Sequence, residues 1–222
     1  MRSWAVIAAL DERDGIAEAV REAPWDLCEG VVVVDGGSTD GTPDAAREAG
    51  AEVVVERRRG YGLAMTRGID AARARGAEAF VLFDGNGAAR PEDVRRVLEA
   101  VTSGRADLAI GSRKLGLLRP AQRVGNALAI WAIERRFGVR FRDVGAIRAI
   151  TDAALGKLAL SEMTYGWPLE LLVRGAKTGL RTEDIAVTML PRRGRSKVSG
   201  TLAGTAGATA CFLRILATEL AR

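Results

Sequence analysis

One stretch constrains the fold more than any other part of the chain, and it reads VVVVDGGSTDGT from Val31 to Thr42. Four consecutive valines without polar alternation predict a strand buried on both faces, which is typical of a parallel sheet. The strand ends at Asp35 in a glycine-rich loop, and Pro43 then begins a helix. Open α/β sheets bind ligands at such strand ends. An ordinary strand–turn–helix connection has the same pattern, so the stretch alone leaves both interpretations open.

Strands and helices alternate along the first half of the chain. Strands are predicted over residues 4–10, 31–34, 52–56, 79–83 and 107–110, and helices over 16–22, 43–49, 63–75 and 91–101. This order predicts an α/β fold with a mostly parallel central sheet flanked by helices. The second half is less regular. It contains a strongly apolar helix over 124–137 whose Trp131 we expect in the core, a strand within 142–150, a helix over 167–177, a final strand over 180–190 and a terminal helix over 201–222.

Composition excludes several classes of chemistry. The chain has no histidine, which removes imidazole acid–base catalysis and histidine-ligated metals. Cys28 and Cys211 lie far apart without metal-ligand spacing, so we expect two reduced thiols. No export signal and no apolar run of about 20 residues is present, which predicts a cytoplasmic protein without a transmembrane segment.

The charge of the chain is unevenly distributed. There are 33 basic and 28 acidic residues, a net charge of +5, and the basic residues are densest at Arg57–Arg59 and Arg192–Lys197. Such clusters bind nucleic acid, anionic membrane surfaces or phosphorylated small ligands. No aromatic residues are interleaved with either cluster, so nucleic acid is the least favoured partner.

Two predicted strands end in an aspartate followed by glycine, at Asp35 and Asp84. In a doubly wound sheet both would face one crevice, and because they end strands in loops we expect neither in the core. Carboxylates in such a crevice suit a ribose, a base edge or a divalent metal that bridges phosphates. Arg113, Arg123 and the segment from Arg192 to Lys197 carry the opposite charge. Together these residues predict a phosphorylated ligand held between an acidic half and a basic half.

A series of motifs in a fixed order extends this interpretation. After VVDGGSTDGT come RRGYG at 58–62, FDGNG at 83–87, PED at 91–93 and GSR at 111–113, then QRVGN at 122–126, DVG at 143–145, YGW at 165–167 and GRSKVSGT at 194–201. The series resembles family 2 glycosyltransferases of the GT-A fold, in the dolichyl-phosphate mannose synthase-like branch. A nucleotidyltransferase lacks support because its glycine-rich opening is missing, and a dinucleotide-binding domain because no Gly-x-Gly-x-x-Gly follows the first strand.

The resemblance implies an enzyme and a set of site residues. It implies inverting transfer of a sugar from a nucleoside-diphosphate sugar to an acceptor that carries a phosphate, such as a polyprenyl phosphate. The nucleotide-sugar residues would be Leu10, Asp11, Glu12, Asp35, Gly60, Tyr61, Asp84, Gly85 and Arg113. The phosphate and acceptor residues would be Arg123, Arg148, Trp167, Arg192, Arg193, Arg195, Ser196 and Lys197. The catalytic candidates are Asp84, Asp143, Glu170, Arg195 and Lys197.

The sequence departs from its relatives at the metal motif and at the catalytic base. Asp84 and Asn86 stand at the two metal positions, and the neutral amide of Asn86 replaces a carboxylate. Mg²⁺ or Mn²⁺ should then bind weakly, be dispensable because arginines neutralise the diphosphate, or be lost together with activity. No Glu-Asp pair precedes the helix that contains Glu170. An ionised phosphate acceptor needs no base, whereas a neutral acceptor would need Asp143 or Glu170.

Three expectations concern organisation and partners. We expect a single domain over 1–222, with a nucleotide-sugar half at 1–115, an acceptor half at 116–200 and a terminal helix at 201–222. The partners would be a nucleoside-diphosphate sugar and an anionic acceptor, over which the basic loop 192–197 would close as a lid. The terminal helix would pack on the domain or on a second subunit, with peripheral membrane contact as the alternative. A soluble or carrier-bound acceptor, and a degenerate protein that binds sugar nucleotides without catalysis, remain open.

Overall fold

The computed structural model describes residues 1–113, 120–194 and 202–220, without the side chains of 120–122, 202–206, 208 and 220. Within these ranges the first half of the chain contains β1 (Ser3–Ala9), α1 (Arg13–Arg21), β2 (Cys28–Asp35), α2 (Thr42–Glu48), β3 (Glu52–Val55), α3 (Tyr61–Ala74), β4 (Ala79–Asp84), α4 (Pro91–Thr102) and β5 (Leu108–Arg113). The second half contains α5 (Pro120–Phe137), β6 (Ile147–Thr151), α6 (Asp152–Leu158), α7 (Trp167–Lys177), β7 (Thr182–Val187) and α8 (Leu202–Leu220).

The seven described strands form one sheet in the order β3-β2-β1-β4-β6-β5-β7. All neighbouring pairs are parallel except those of β6, which runs antiparallel to both β4 and β5. The predicted α/β fold with a mostly parallel sheet is therefore confirmed. Asp35 lies opposite Ala9, and Asp84 lies opposite Ala8. The two aspartates therefore end strands on either side of β1 at the same edge of the sheet.

The core has two layers, one on each face of the sheet. The valines of β2 divide between them, because successive side chains of a strand point to opposite faces: Val32 and Val34 join one cluster, and Val31 and Val33 the other. Residues of α3, α5, α6, α7 and α8 fill the first layer, and residues of α1, α2 and α4 fill the second. The sheet is thus covered on both faces, as the run of four valines predicts.

Three details differ from the sequence-based expectations. The short helix α6 was not predicted; the hydroxyl oxygen of Thr151 caps it by accepting a hydrogen bond from the Ala154 N–H (3.1 Å). The final strand is shorter than 180–190. The expectation that Trp131 lies in the core is wrong, since its side chain is 62% exposed.

Two other expectations can be compared with the structure. Cys28 and Cys211 are buried and form no disulfide, as predicted. Among the described residues, no helix combines the length and the apolarity needed to cross a bilayer.

Candidate active site

The loops that follow β1 and β2 are joined by hydrogen bonds at the edge of the sheet. The Asp11 N–H donates to Ser38 Oγ (2.8 Å), and the Glu12 N–H donates to Thr42 Oγ1 (2.9 Å). In the other direction, the Thr39 N–H donates to Asp11 Oδ1 (3.0 Å). Asp11 has a φ of +46°, a conformation that aspartate tolerates better than most residues. The two loops therefore form one connected wall.

Asp35 lies behind this wall and is only 1% exposed, so the expectation that it lies outside the core is wrong. Its Oδ2 accepts hydrogen bonds from the N–H groups of Gly37 (2.9 Å) and Ser38 (3.0 Å). Its Oδ1 is buried and has no hydrogen-bond donor in the described part of the chain. Because a buried carboxylate oxygen without a donor is costly, this atom is suited to accept a hydrogen bond from a ligand.

The RRGYG motif allows two segments to meet closely. Gly60 has a φ of +153°, and a Cβ on it would lie 2.3 Å from the carbonyl oxygen of Met163. A Cβ on Gly62 would lie 2.4 Å from the carbonyl oxygen of Glu162. The contact orients Tyr61, whose ring packs edge-to-face on Trp167 with centroids 6.4 Å apart. Trp167 is itself buried, so its contact with the site runs through Tyr61.

Asp84 is the centre of a charged cluster at the end of β4. Asp84 is exposed at the end of its strand, as expected for a residue outside the core. The protein groups packed around its carboxyl group displace part of its water and raise the pKa of Asp84, and the positive charges of Arg148, Arg113 and Arg192 oppose that shift. Arg148, on β6, is 4% exposed, and its Nη1 lies 3.4 Å from the Tyr61 hydroxyl oxygen. Burial also raises the pKa of Tyr61, which keeps the phenol protonated. Residues from both halves of the chain thus surround one carboxylate.

Asp143 is held by Arg113. Its fully buried carboxylate accepts hydrogen bonds from Arg113 Nε (2.7 Å), Nη2 (3.1 Å) and the backbone N–H (3.1 Å). Burial alone would raise the pKa of Asp143, but the hydrogen bonds and the charge of Arg113 outweigh it and lower the pKa. A carboxylate with a lowered pKa and occupied lone pairs is a weak general base.

Glu170 lies in a separate network. Its carboxylate accepts hydrogen bonds from the Ser161 N–H, the Ser161 hydroxyl and the Glu162 N–H, and it forms an ion pair with Arg174 (2.8 Å). These contacts join α7 to the loop over 159–165, and none of them links Glu170 to Asp84. The geometry therefore favours a structural role for Glu170 over that of a base.

The basic segment after β7 is fixed to the turn after β4 up to Gly194. The Leu190 N–H donates to the Ala88 carbonyl oxygen (2.8 Å), and the Arg193 N–H donates to the Asn86 carbonyl oxygen (2.9 Å). Arg192 pairs with Glu12 (2.6 Å) and Arg193 with Glu18 (2.5 Å). The positive charges are thus balanced by carboxylates of the β1–α1 region. The candidates Arg195, Ser196 and Lys197 lie outside the described residues, and Arg123 is exposed on α5.

The metal positions do not fit a tight divalent site. The Asn86 Oδ1 accepts a hydrogen bond from the Ala88 N–H (3.0 Å). This uncharged oxygen therefore already stabilises the turn after β4. Asp84 supplies one carboxylate, and the positive charges near it are the guanidinium groups of Arg148, Arg113 and Arg192. The described ranges contain no cluster of three or more His, Cys, Asp or Glu side chains able to hold a metal ion. Hard divalent cations favour several anionic oxygen ligands, which these residues do not supply.

Two supporting residues were missed by the sequence analysis. Asn126 of α5 accepts a hydrogen bond from the Val144 N–H (2.8 Å), which fixes the loop beside Asp143. Asp184 of β7 accepts from the Ser112 hydroxyl (2.8 Å) and from the Arg142 N–H (2.6 Å). Asn126 belongs to the QRVGN motif, which could have revealed it, whereas nothing around Asp184 in the sequence distinguishes it from a solvated carboxylate.

Sequence comparisons identify the chain's relatives. The profile of glycosyl transferase family 2 matches residues 4–156. The chain is 34% identical over 215 residues to an uncharacterized glycosyltransferase of Mycobacterium tuberculosis, with 95% of this chain and 96% of that protein covered. It is 32% identical over 200 residues to the undecaprenyl-phosphate mannosyltransferase of Micrococcus luteus, with 79% and 78% covered.

A solved structure shares the fold. Glucosyl-3-phosphoglycerate synthase from Mycobacterium tuberculosis, crystallised with Mn²⁺, uridine-diphosphate-glucose and phosphoglyceric acid, superimposes with a TM-score of 0.79 at 20% sequence identity. The match covers 97% of this chain and 80% of that one. The GT-A fold is therefore confirmed, and so is the resemblance to the dolichyl-phosphate mannose synthase-like branch. The chain belongs to glycosyltransferase family 2.

Proposed function

We propose that the protein transfers a sugar, with inversion, from a nucleoside-diphosphate sugar to an acceptor that carries a phosphate, such as a polyprenyl phosphate. The observation that carries this proposal is the cluster around Asp84, where Tyr61 and the guanidinium groups of Arg113, Arg148 and Arg192 surround one carboxylate. An acidic wall beside a group of arginines suits a ligand with a polar nucleoside at one end and phosphates at the other.

The donor would bind against the connected wall of the two loops. Its residues would be Leu10, Asp11, Glu12, Asp35, Gly60, Tyr61, Asp84, Gly85 and Arg113. The unpartnered Asp35 Oδ1 would accept a hydrogen bond from the base or the ribose. Because hydrogen bonds already connect the wall, binding would order little additional backbone.

The transfer would proceed by in-line attack of an acceptor phosphate oxygen on the anomeric carbon. The new bond joins that oxygen to the carbon, and the bond between the carbon and the diphosphate breaks, so that the electron pair leaves with the diphosphate. An ionised phosphate has no proton to lose, so no base is needed, in keeping with the lowered pKa of Asp143. Arg148 and Arg192, with Arg193 and Arg123, would stabilise the phosphates, and Arg195, Ser196 and Lys197 would complete the lid.

Charge compensation at the diphosphate would come mainly from arginine. A divalent metal would bind weakly or be dispensable, because Asn86 supplies a neutral oxygen that already accepts a hydrogen bond from Ala88.

Two further candidates have support from particular observations. The glucosyl-3-phosphoglycerate synthase structure contains phosphoglyceric acid, which favours a soluble phosphorylated acceptor as the alternative to a lipid. The amide at Asn86 favours a protein that binds sugar nucleotides without transferring the sugar. If the acceptor is a polyprenyl phosphate, as in the first proposal, the protein would also contact a membrane surface. Association through α8 with a second subunit remains a prediction.

The test compares donor binding with transfer. Binding of uridine and guanosine diphosphates is measured by calorimetry, and transfer of labelled sugar is measured to a short-chain polyprenyl phosphate, to the corresponding alcohol and to phosphoglyceric acid. Asp35→Asn keeps an oxygen for the Gly37 and Ser38 N–H groups but loses the charge, and we expect it to abolish nucleotide binding. The exposed Asp44→Asn is the control.

The outcomes separate the candidates. Nucleotide binding without transfer to any acceptor supports the non-catalytic alternative, and transfer to the alcohol in preference to the phosphate contradicts the phosphate-acceptor proposal. Unchanged binding by Asp35→Asn contradicts the donor site.

A further inference from the structure

The outer face of α5 exposes a stripe of large apolar side chains. Val124 is 72% exposed, Leu128 is 44% exposed and Trp131 is 62% exposed. Their spacing of four and then three residues places them on one face of the helix. Arg135 continues the same line one turn further and is also exposed. We refer to Val124, Leu128, Trp131 and Arg135 as the α5 stripe.

The stripe makes no contribution to the core, because the opposite face of α5 already supplies it. Ala129, Ile130 and Ile133 are buried in the layer shared with α7 and α8. A helix of a soluble domain ordinarily presents polar side chains on its outer face. Contiguous exposed apolar side chains, one of them a tryptophan, indicate a surface that meets a partner.

The inner face of α5 also supports the candidate site. Asn126 accepts a hydrogen bond from the Val144 N–H and donates to the Arg142 carbonyl oxygen (3.4 Å), which brackets Asp143. Asp143 in turn holds Arg113, whose positive charge opposes the rise in the pKa of Asp84. A partner bound to the outer face of α5 would thus lie one helix away from the loop that supports the site.

We propose that the α5 stripe docks on the surface of an anionic lipid bilayer. Tryptophan favours the boundary between headgroups and acyl chains, and an arginine in line with it can reach lipid phosphates. Arg136, which is exposed beside the stripe, adds a second positive charge, while Glu134, the one acid on this helix, pairs with Arg140 (2.6 Å). The net charge of +5 acts in the same direction.

A second copy of the chain is the less favoured occupant. A stable interface buries about 800 Å² on each partner, whereas a large aromatic side chain offers at most about 250 Å² and the stripe contains one. The contact proposed is that of one exposed helix face with the bilayer surface. The biological role of this docking rests on the proposed function, since docking would bring the site to an acceptor phosphate carried by a lipid. Vesicle binding itself is measured without any sugar nucleotide.

The test is flotation of the full chain with phosphatidylcholine vesicles, with and without phosphatidylglycerol. We expect binding that requires phosphatidylglycerol and weakens as salt is raised. Trp131→Gln and Leu128→Gln should each weaken vesicle binding by about tenfold, because each removes the burial of a large apolar side chain. Val55→Gln removes an apolar side chain that is 47% exposed on β3, and it should bind as the parent does.

Three results would overturn the inference. They are absence of vesicle binding at low salt, parental binding by both stripe variants, and a parent dimer in light scattering that Trp131→Gln converts to a monomer. Melting temperatures check that the variants are folded, and exposed substitutions should leave them nearly unchanged. Transfer to a short-chain polyprenyl phosphate in detergent should be unaffected by Trp131→Gln. Vesicle binding without any transfer would sustain this inference while the proposed function fails.

Discussion

Replacing Asp143 by asparagine tests whether this residue is a base or a positioning residue. The buried carboxylate holds Arg113 through three hydrogen bonds, and Arg113 lies beside Asp84. In Asp143→Asn the amide oxygen can still accept from one donor, but the amide N–H₂ faces the remaining donors of Arg113 and the negative charge is lost. The variant should therefore be destabilised and should place Arg113 less well.

The size of the destabilisation expected for Asp143→Asn follows from the burial of its ion pair with Arg113. Breaking a buried ion pair by removing one partner costs about 3–5 kcal/mol. The lower end applies here because the Arg113 side chain is 28% exposed and can regain some water. A loss of about 3 kcal/mol lowers the melting temperature of a domain of this size by roughly 6–12 °C.

The pH dependence gives a second measurement. The folded-state pKa of Asp143 is lowered, so the pair stabilises the fold fully above the unfolded-state pKa of about 3.9 and is lost as the pH falls through the folded-state value. We expect the difference in melting temperature between parent and Asp143→Asn to be constant at neutral pH and to narrow below about pH 4. Thermal unfolding followed by circular dichroism across this range measures it.

The control is Asp44→Asn, which removes an exposed pair with Arg47 (2.9 Å) and should hardly change the melting temperature. A variant that melts within about 2 °C of the parent, well below the expected shift, yet loses transfer entirely would refute the positioning role. Asp143 would then be the base, and the acceptor would be neutral.

Two further predictions concern the glycines and the metal position. Gly62→Ala should lower the melting temperature and weaken nucleoside-diphosphate binding, because its Cβ would lie 2.4 Å from the Glu162 carbonyl oxygen. Gly156→Ala is the control measured in the same calorimetry: its Cβ would meet nothing within 4 Å and alanine favours the helix, so it should leave binding unchanged and should not lower the melting temperature. Asn86→Asp should tighten Mn²⁺ binding, titrated in the presence of nucleoside diphosphate, because a carboxylate adds negative charge where the parent has a neutral amide. A parent that binds Mn²⁺ as tightly as the variant would contradict this reasoning.

The fold followed from the sequence where local patterns were strong. The valine run of β2 and the aspartates that end β2 and β4 indicated a parallel sheet and the edge at which to search. The motif RRGYG was recognisable in the sequence. The sequence did not show why glycine is needed there, because the loop that contacts these glycines lies about a hundred residues further along the chain. The approach of Arg148 to Tyr61 could not be predicted either, because it depends on which strands become neighbours.

The sequence-based expectations that the structure contradicts failed because they depended on which segments pack against each other or on weak local signals. Trp131 was expected in the core because α5 is apolar on both faces, and apolarity without periodicity does not tell which face is covered. Helix α6 was missed because seven residues that include Gly156 give little helical signal. Asp35 was expected outside the core because a strand end was equated with solvent, although the β1–α1 loop packs over it.

The antiparallel insertion of β6 has a consequence for the order of folding. β4 pairs with β1 on one side and with β6 on the other, and it never pairs with β5, the next strand along the chain. During synthesis the edge of β4 therefore stays open until residues 147–151 have left the ribosome, and β5 has no partner until then either. An apolar edge strand that waits this long is a template for association between chains. Nascent chains that stall between β5 and β6 should be the most prone to aggregate and the most dependent on chaperones.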